Sequence, residues 1–89
     1  MKIAIVGCGF VADYYLTTLP FHPQLELAGV TDQNKERLQN FAQFHSVQTY
    51  DSLKNLLEDD EVDIVLNLTN PRSHYEVSKA ALMAGKHVF

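Results

Sequence analysis

Cysteine is nearly absent from this sequence. The 89 residues include one, Cys8, so no disulfide can form within the chain. A lone cysteine is typical of proteins in reducing compartments, and we therefore expect a cytoplasmic protein. Without a neighbouring cysteine, a redox role for this thiol is not expected either. The length predicts one small domain, and a hydrophobic content of 46% is enough for a core.

Positive charge and long apolar runs are also scarce. Seven Lys and Arg residues are scattered among eleven Asp and Glu, and the net charge is −4. Nucleic acids and anionic membranes are bound by clustered basic residues, so neither is an expected partner. The apolar runs are only as long as a strand, and the first one begins directly after Lys2. We therefore expect no membrane span and no signal peptide.

Strand-like and helix-like patterns alternate along the chain. Short apolar runs of the kind found in buried parallel strands predict five strands: Lys2–Val6, Leu25–Thr31, Val47–Tyr50, Asp63–Thr69 and His87–Phe89. Apolar residues at helical spacing predict four helices between them: Phe10–Leu19, Asn34–Phe44, one that contains Leu53, Leu56 and Leu57, and one with a stripe of Val77, Ala80, Ala81 and Ala84.

Residues that begin or end helices support these assignments. The first helix is expected to end before two prolines. The third and fourth helices have candidate caps at their starts, and the fourth has a glycine at its end that suits a left-handed conformation. The prolines are Pro20 and Pro23, and the cap of the third helix is Asp51 or Ser52. The fourth helix has a candidate capping box of Ser73 and Glu76 at its start and Gly85 at its end.

The alternation predicts an α/β fold: a Rossmann-type, doubly wound parallel sheet joined by right-handed crossovers. The expected strand order is 3-2-1-4-5, which places the first and fourth strands side by side. Ligands bind such sheets in the crevice between the carboxyl ends of those two strands. The residues that follow the strand ends are therefore the candidate site.

The turn after the first strand reads GCGFVA, residues 7–12. The first glycine permits a tight turn, the second lets a pyrophosphate approach the backbone, and Ala12 keeps the helix close to the sheet. Phosphate would rest on free N–H groups at the helix start. An ordinary strand-to-helix turn that uses glycine is the alternative. The predicted cofactor contacts of this turn are Gly7, Cys8, Gly9, Phe10 and Val11.

Asp32 ends the second strand, twenty residues after Ala12. At this position an acid meets the adenosine ribose, and its carboxylate can accept hydrogen bonds from both ribose hydroxyls. The same charge would repel a 2′-phosphate, and the next two residues, Gln33 and Asn34, supply no compensating cation. Gln33 is itself a predicted cofactor contact beside Asp32. These residues favour NAD over NADP, although Arg37 lies one helical turn further and could reach a phosphate. A helix N-cap is the alternative role for Asp32.

The segment NLTNPRSH, residues 67–74, follows the fourth strand. Thr69, Asn70 and Pro71 would line the nicotinamide side of the crevice, where an amide can bond a ribose or carboxamide. Pro71 also disfavours helical geometry at the preceding residue, so a plain strand-to-helix loop is the alternative. His74 falls in the first turn of the last helix, where it either faces the crevice or lies on the surface.

No catalytic or metal site is evident from the residues. His22, His45 and His87 have no ligand-like spacing among themselves or with Cys8, so no metal is expected. No Ser-His-Asp arrangement is present. We assign no catalytic residue.

The chain resembles the N-terminal domain of the glucose–fructose oxidoreductase / inositol 2-dehydrogenase (Gfo/Idh/MocA) family. Three stretches carry the resemblance: KIAIVGCGFVADYY, LAGVTDQNKER and YDSLKNLLEDDEVDIVLNLTNPRSHYEVSKAALMAGKHVF. The part from NLTNP to AGKHV is the most specific. The resemblance implies an NAD(P)-dependent oxidoreductase of sugars, cyclitols and related alcohols, some members acting on biliverdin-like substrates. It also implies cofactor roles for Gly7, Gly9, Asp32, Thr69, Asn70 and His74.

Two further parts of that family are not found in residues 1–89. In the family the last strand continues into an E-K-P motif whose lysine assists hydride transfer, and a second α/β domain holds the substrate. Lys86 belongs to AGKHV and is not that lysine. We therefore expect a dinucleotide-binding domain of a longer dehydrogenase of sugars or polyols, inactive by itself because nothing holds the substrate and its base.

Two other interpretations stay open at this point. A non-catalytic nucleotide-binding or scaffolding module would have the same cofactor site. Alternatively, the site is empty and the strand His87–Phe89 offers an unpaired edge through which the chain could self-associate.

Overall fold

A parallel sheet of four strands forms the centre of the molecule. A computed structural model describes residues 1–89. The strand order is β2-β1-β3-β4, and all neighbouring strands are parallel. The strands are β1 (Lys2–Val6), β2 (Glu26–Thr31), β3 (Ile64–Asn67) and β4 (His87–Val88).

Four helices connect the strands, as predicted, although two of them are consecutive with no strand between them. A short 3₁₀ turn, Leu19–Phe21, extends the first helix and contains Pro20. The helices are α1 (Phe10–Thr18), α2 (Lys35–His45), α3 (Leu53–Glu58) and α4 (Pro71–Met83). None of them is both long enough and apolar enough to span a membrane.

The core is divided between the two faces of the sheet, because successive side chains of β1 point in opposite directions. Ala4 and Val6 pack with residues of α3 and α4, including Leu56, Val77 and Ala81. Ile5 lies on the other face and packs with residues of α1 and α2: Ala12, Leu38 and Phe41. Helices on both faces make this the doubly wound arrangement that the sequence predicted.

The prediction of five strands in the order 3-2-1-4-5 is wrong in one respect. Val47–Tyr50 is not a strand, and only a single parallel bridge joins Thr49 to Val30 of β2. The N–H of Val30 donates to Gln48, and the N–H of Tyr50 donates to Val30. The segment lies beside β2 as expected, but the turn into α3 follows immediately and no longer ladder forms. The remaining order, 2-1-4-5 in the predicted numbering, is the observed β2-β1-β3-β4.

The start of α4 also differs from the prediction of a capping box. Asn70 is the N-cap, and its side-chain oxygen accepts a hydrogen bond of 3.0 Å from the N–H of Ser73. Pro71 takes the first helical position, where its fixed φ suits a helix and its missing N–H costs nothing. At the other end the helix ends at Met83 with Ala84 as its C-cap, and Ala84 is exposed, so its place in the predicted apolar stripe was wrong. Gly85 has the expected positive φ of +80°.

Candidate functional site

A cleft runs along the carboxyl ends of β1, β2 and β3. Its volume is about 580 Å³, and the loops that follow these strands form its walls together with the start of α3. The predicted switch point is therefore an open cleft in the structure. Among the predicted cofactor residues, those on its walls are Gly7, Cys8, Gly9, Asp32, Gln33, Thr69 and Asn70.

Gly7 is required by the fold itself. Its φ is +103°, a value that L side chains rarely adopt, and an added Cβ would lie 2.6 Å from the carbonyl oxygen of Leu68. The N–H of Gly7 donates to Thr31 at 2.9 Å, while the N–H of Leu68 donates to Val6 at 2.8 Å. The glycine thus lets three loops meet closely at one edge of the cleft.

Gly9 has no such structural requirement. Its φ of −95° is ordinary, and no atom lies within 4 Å of the position that a Cβ would take. Gly9 is the N-cap of α1, and the N–H groups of Gly9, Phe10 and Val11 have no acceptor in the protein. Free N–H groups at a helix start, beside open space at a glycine, fit a phosphate that approaches the backbone.

Asp32 is buried at the end of β2, with 6% of its surface exposed. Its Oδ2 accepts from the N–H of Cys8 at 2.8 Å, and its Oδ1 accepts from the N–H of Asn34 at 2.8 Å. Burial opposes ionisation, but these bonds and Arg37 outweigh it and hold the pKa of Asp32 below its usual value. Asn34, not Asp32, caps α2. The acid is therefore ionised and free of the alternative N-cap role.

Arg37 lies on the first turn of α2 and binds the same carboxylate in a bidentate fashion. Its Nε donates to Oδ2 of Asp32 at 3.1 Å, and its Nη2 donates to Oδ1 at 3.2 Å. The arginine side chain is 56% exposed, whereas that of the aspartate is 4% exposed. The sequence placed Arg37 within reach of a phosphate, but it gave no sign of this ion pair.

Asn67 organises the loop after β3, a role that sequence reasoning missed. Its Nδ2 donates to the carbonyl of His74 at 2.9 Å and to Oγ of Ser78 at 2.8 Å, and its Oδ1 accepts from Oγ1 of Thr69 at 2.6 Å. With 4% of its surface exposed, Asn67 ties the strand end to α4 and fixes Thr69 on the cleft wall. A polar residue at the end of an otherwise apolar strand was the available signal.

Four predicted cofactor residues do not lie on the walls of the cleft. The side chains of Phe10 and Val11 are 93% and 55% exposed; only their N–H groups remain candidates for contact. Pro71 and His74 are exposed in the first turn of α4. The structure therefore places the His74 side chain on the surface rather than in the cleft.

Other residues on the cleft walls were not predicted to take part. The first turn of α2 contributes Lys35, whose Nζ donates to the carbonyl of Asp51. Ser52 accepts from the N–H of Asn55 at 3.1 Å and caps α3, so it is the actual cap of the two candidates. Ser73 of α4 also lies on the wall. Only the tertiary fold brings these segments together.

Cys8 is buried in the turn, and neither thiolate chemistry nor metal binding is supported there. Burial, reinforced by the charge of Asp32, raises the pKa of Cys8 to about 12. The thiol therefore stays protonated and lies 3.7 Å from the carbonyl of Thr31. No group of His, Cys, Asp and Glu is arranged to hold a metal ion.

Known proteins share both this sequence and this fold. The family model described as the oxidoreductase family with an NAD-binding Rossmann fold (Gfo/Idh/MocA) matches residues 1–89. The inositol 2-dehydrogenase/D-chiro-inositol 3-dehydrogenase of Lactiplantibacillus plantarum is 32% identical over 99% of this chain and 26% of its own length.

Two crystal structures are similar along almost the whole chain. An NAD-binding protein from Listeria innocua is 37% identical, with a TM-score of 0.89 over 98% of this chain and 26% of that one. Biliverdin reductase from Synechocystis sp. PCC 6803, in complex with biliverdin and NADP+, is 30% identical, with a TM-score of 0.88 over 98% of this chain and 28% of that one. This chain thus spans about a quarter of each relative.

The resemblance found in the sequence is therefore confirmed by a match over the whole chain and by the fold. The chain belongs to the Gfo/Idh/MocA oxidoreductase family and is an NAD(P)-binding Rossmann domain of that family.

Proposed function

We propose that residues 1–89 bind NAD in preference to NADP, in the cleft at the carboxyl ends of the strands. The observation that carries this proposal is the contrast at the glycine turn. The fold requires Gly7, whereas Gly9 has open space beside it and free N–H groups around it. The fold does not need a glycine at position 9, and a phosphate that must approach the backbone closely would explain one there.

Each part of the dinucleotide has a candidate position in the cleft. The N–H groups of Gly9, Phe10 and Val11 would hold the pyrophosphate, helped by the dipole of α1. Asp32, at the end of β2, would accept from the adenosine ribose. On the opposite side, Thr69 would meet the nicotinamide half of the cofactor.

The residues at the start of α4 complete the proposed site. Asn70 uses its side-chain oxygen as a helix cap, so its amide N–H₂ remains available as a donor. Pro71 and His74, exposed beside it, would contact only a part of the cofactor that extends out of the cleft.

The preference for NAD rests on the negative charge at Asp32. Its lowered pKa keeps the carboxylate ionised at neutral pH, and a 2′-phosphate beside it would be repelled. Gln33, which follows it on the cleft wall, supplies no opposing charge. One relative is named as an NAD-binding protein and another was crystallised with NADP+, so the proposed preference is argued from this chain's own residues.

We further propose that the complete protein oxidises or reduces a sugar, polyol or related alcohol. The bound nicotinamide would supply hydride transfer, while a second domain would hold the substrate. The relative from Lactiplantibacillus plantarum is named for inositol, a cyclic polyol. Since this chain spans about a quarter of that relative, residues 1–89 alone are expected to bind cofactor and show no turnover. A cytoplasmic location and self-association through β4 remain proposals that accompany this one.

Titration with NADH and NADPH, followed by fluorescence, tests the proposed cofactor site. Asp32→Ala should weaken NADH binding by about tenfold or more, since charge-assisted hydrogen bonds to the ribose are lost. NADPH binding should weaken much less. Asp60→Ala removes the same charge from an exposed loop remote from the cleft and is the matched control. Equal losses for the two cofactors would contradict the role of Asp32, and no binding at millimolar cofactor would contradict the site itself.

A further inference from the structure

The carboxylate of Asp32 has no vacant position for another hydrogen bond. A carboxylate offers about four lone-pair sites. On Oδ2 the donors are the N–H of Cys8 and Nε of Arg37, at 2.8 and 3.1 Å. On Oδ1 they are the N–H of Asn34 and Nη2 of Arg37, at 2.8 and 3.2 Å. A ribose hydroxyl can therefore bond this carboxylate only after one of the donors has left.

Arg37 is the donor that can leave. The N–H groups of Cys8 and Asn34 are backbone donors in the segments that follow β1 and β2, so they cannot leave the carboxylate unless the backbone moves. Arg37 reaches the carboxylate from α2 through a long side chain that is 56% exposed, and it lies on the cleft wall. Because the guanidinium is already more than half exposed, solvent can hydrate it when the side chain turns away, which lowers the cost of breaking the ion pair.

We propose that Arg37 is a specificity-determining gate over Asp32. It must release the carboxylate before an unphosphorylated ribose can bind there, and it pairs with the phosphate when the ribose carries one. Arg37 therefore weakens the binding of NAD and strengthens the binding of NADP. The ratio of the two dissociation constants then favours NAD by less than Asp32 alone would give. This inference rests on the proposed function, since it concerns the same cofactor site.

The chemistry of the guanidinium supports both proposed actions, the release of Asp32 and the pairing with a 2′-phosphate. Its planar fork matches a phosphate as well as it matches a carboxylate, so one rotation can exchange the aspartate for the 2′-phosphate. With Arg37 placed between Asp32 and the phosphate, the repulsion between the two anions is offset. In the absence of a phosphate, the ribose offers only neutral hydroxyl oxygens in place of the charged carboxylate that the guanidinium loses.

A purely structural brace is the other role that this ion pair could have. In that case Arg37 would only hold Asp32 in place, and its loss would weaken the binding of NADH and of NADPH equally. Lys35 provides a matched control, because it has the same charge, lies on the same cleft wall two residues earlier and does not contact Asp32. A nonspecific effect of positive charge would appear equally in both variants.

The test is the dissociation constant of NADH and of NADPH for the wild-type chain and for Arg37→Gln, Arg37→Lys and Lys35→Gln. Arg37→Gln should bind NADH about threefold to tenfold more tightly and NADPH at least about tenfold more weakly, the effect of one charge-assisted contact. Arg37→Lys keeps the charge but loses the planar guanidinium fork. NADH binding should therefore become tighter, while the dissociation constant of NADPH changes by less than about threefold. Lys35→Gln should leave the ratio of the two constants within about twofold.

Three results would overturn the proposal: weaker NADH binding in Arg37→Gln, an equal change for both cofactors, or the same shift of the ratio in Lys35→Gln. Thermal midpoints show whether each variant is folded. If Arg37→Gln is not folded, tighter NADH binding in Arg37→Lys decides the question. A wild-type chain that binds neither cofactor would instead refute the proposed function, whereas binding without the expected change of ratio refutes the gate alone.

Discussion

The two ends of the central sheet use their polar groups in opposite ways. At the carboxyl end, N–H groups at the start of α1 have no acceptor, Gly9 faces open space, and the acid is paired with a surface arginine. At the amino end, polar side chains bond one another or the backbone. The Tyr50 hydroxyl donates to Oδ2 of Asp59 at 2.6 Å, and Nζ of Lys86 donates to the carbonyl of Asp59 at 2.7 Å.

This contrast separates residues that hold the fold from residues that are available to a ligand. Asp63 at the amino end accepts from the N–H of Lys2 at 2.9 Å, which ties β3 to β1. Lys86, in the stretch that resembles the family most closely, is likewise a buried structural lysine. At the carboxyl end, an open cleft coincides with donors that the protein leaves unused. Changes there should affect binding, while changes at the amino end should affect stability alone.

Gly7→Ala should destabilise the protein most, because Gly7 lies at the carboxyl end of the sheet, on the cleft wall, and is also required by the fold. The new Cβ would lie 2.6 Å from a backbone oxygen at a φ of +103°. We expect the free energy of unfolding to fall by about 3 kcal/mol or more, since strain and a backbone clash add. Urea unfolding measures this loss. A variant as stable as the wild type would contradict the tight approach of the three loops.

Asp32→Asn should have the next largest effect. It disturbs the bonds to two backbone N–H groups and to Arg37, and we expect a loss of about 1–3 kcal/mol at neutral pH. Because the folded pKa is lowered from 3.8, the carboxylate stabilises the fold above that pH and its contribution is lost as pH falls through the folded pKa. The difference in stability between wild type and variant should therefore shrink below about pH 4.

Unfolding curves at several pH values check this prediction. Asp59 provides the comparison at the amino end, since the hydroxyl of Tyr50 lowers its pKa in the same direction. Part of the acid sensitivity should therefore persist in Asp32→Asn. A difference between wild type and Asp32→Asn that stays constant down to the lowest pH would show that ionised Asp32 contributes nothing.

Much of this site could be predicted because its signals are local. The glycine turn and Asp32 follow apolar strands, and parallel strands bring their carboxyl ends to one edge of the sheet. The segment Val47–Tyr50 could not be assigned correctly, since pairing with β2 depends on tertiary contacts. The cap of α4 depended on Pro71, which fixes the first helical position and leaves Asn70 as N-cap. The bidentate ion pair between Arg37 and Asp32 could not be predicted either, because it depends on the orientation of α2 relative to β2.

Tyr50→Phe should have a smaller effect, because it removes only the hydroxyl that reaches Asp59 at the amino end of the sheet. Burial and the bond to Asp59 raise the pKa of Tyr50, so the hydroxyl is a protonated donor at neutral pH. Losing this one hydrogen bond should cost about 1 kcal/mol of unfolding free energy. NADH binding should not change. A large change in the dissociation constant would show that the two ends of the sheet are coupled.

Gly9→Ala should have the smallest effect on stability. Its backbone is in an ordinary region and its surroundings are open, so the one expected cost is that of alanine at an N-cap, about 0.5 kcal/mol in the free energy of unfolding. The contrast with Gly7→Ala, measured by the same urea unfolding, distinguishes a glycine kept for the fold from one kept for a ligand. Similar losses at both positions would remove that distinction.

We propose that the start of α1 holds the pyrophosphate of a dinucleotide. A titration of ¹⁵N-labelled chain with NADH, followed by amide chemical shifts, tests this contact residue by residue. We predict that the amide signals of Gly9, Phe10 and Val11 shift most, together with that of Asp32, while the amide of Lys86 at the amino end stays unchanged. Saturating NADH that leaves the Gly9–Val11 amides unmoved, or that shifts only residues outside the cleft, would contradict the claim.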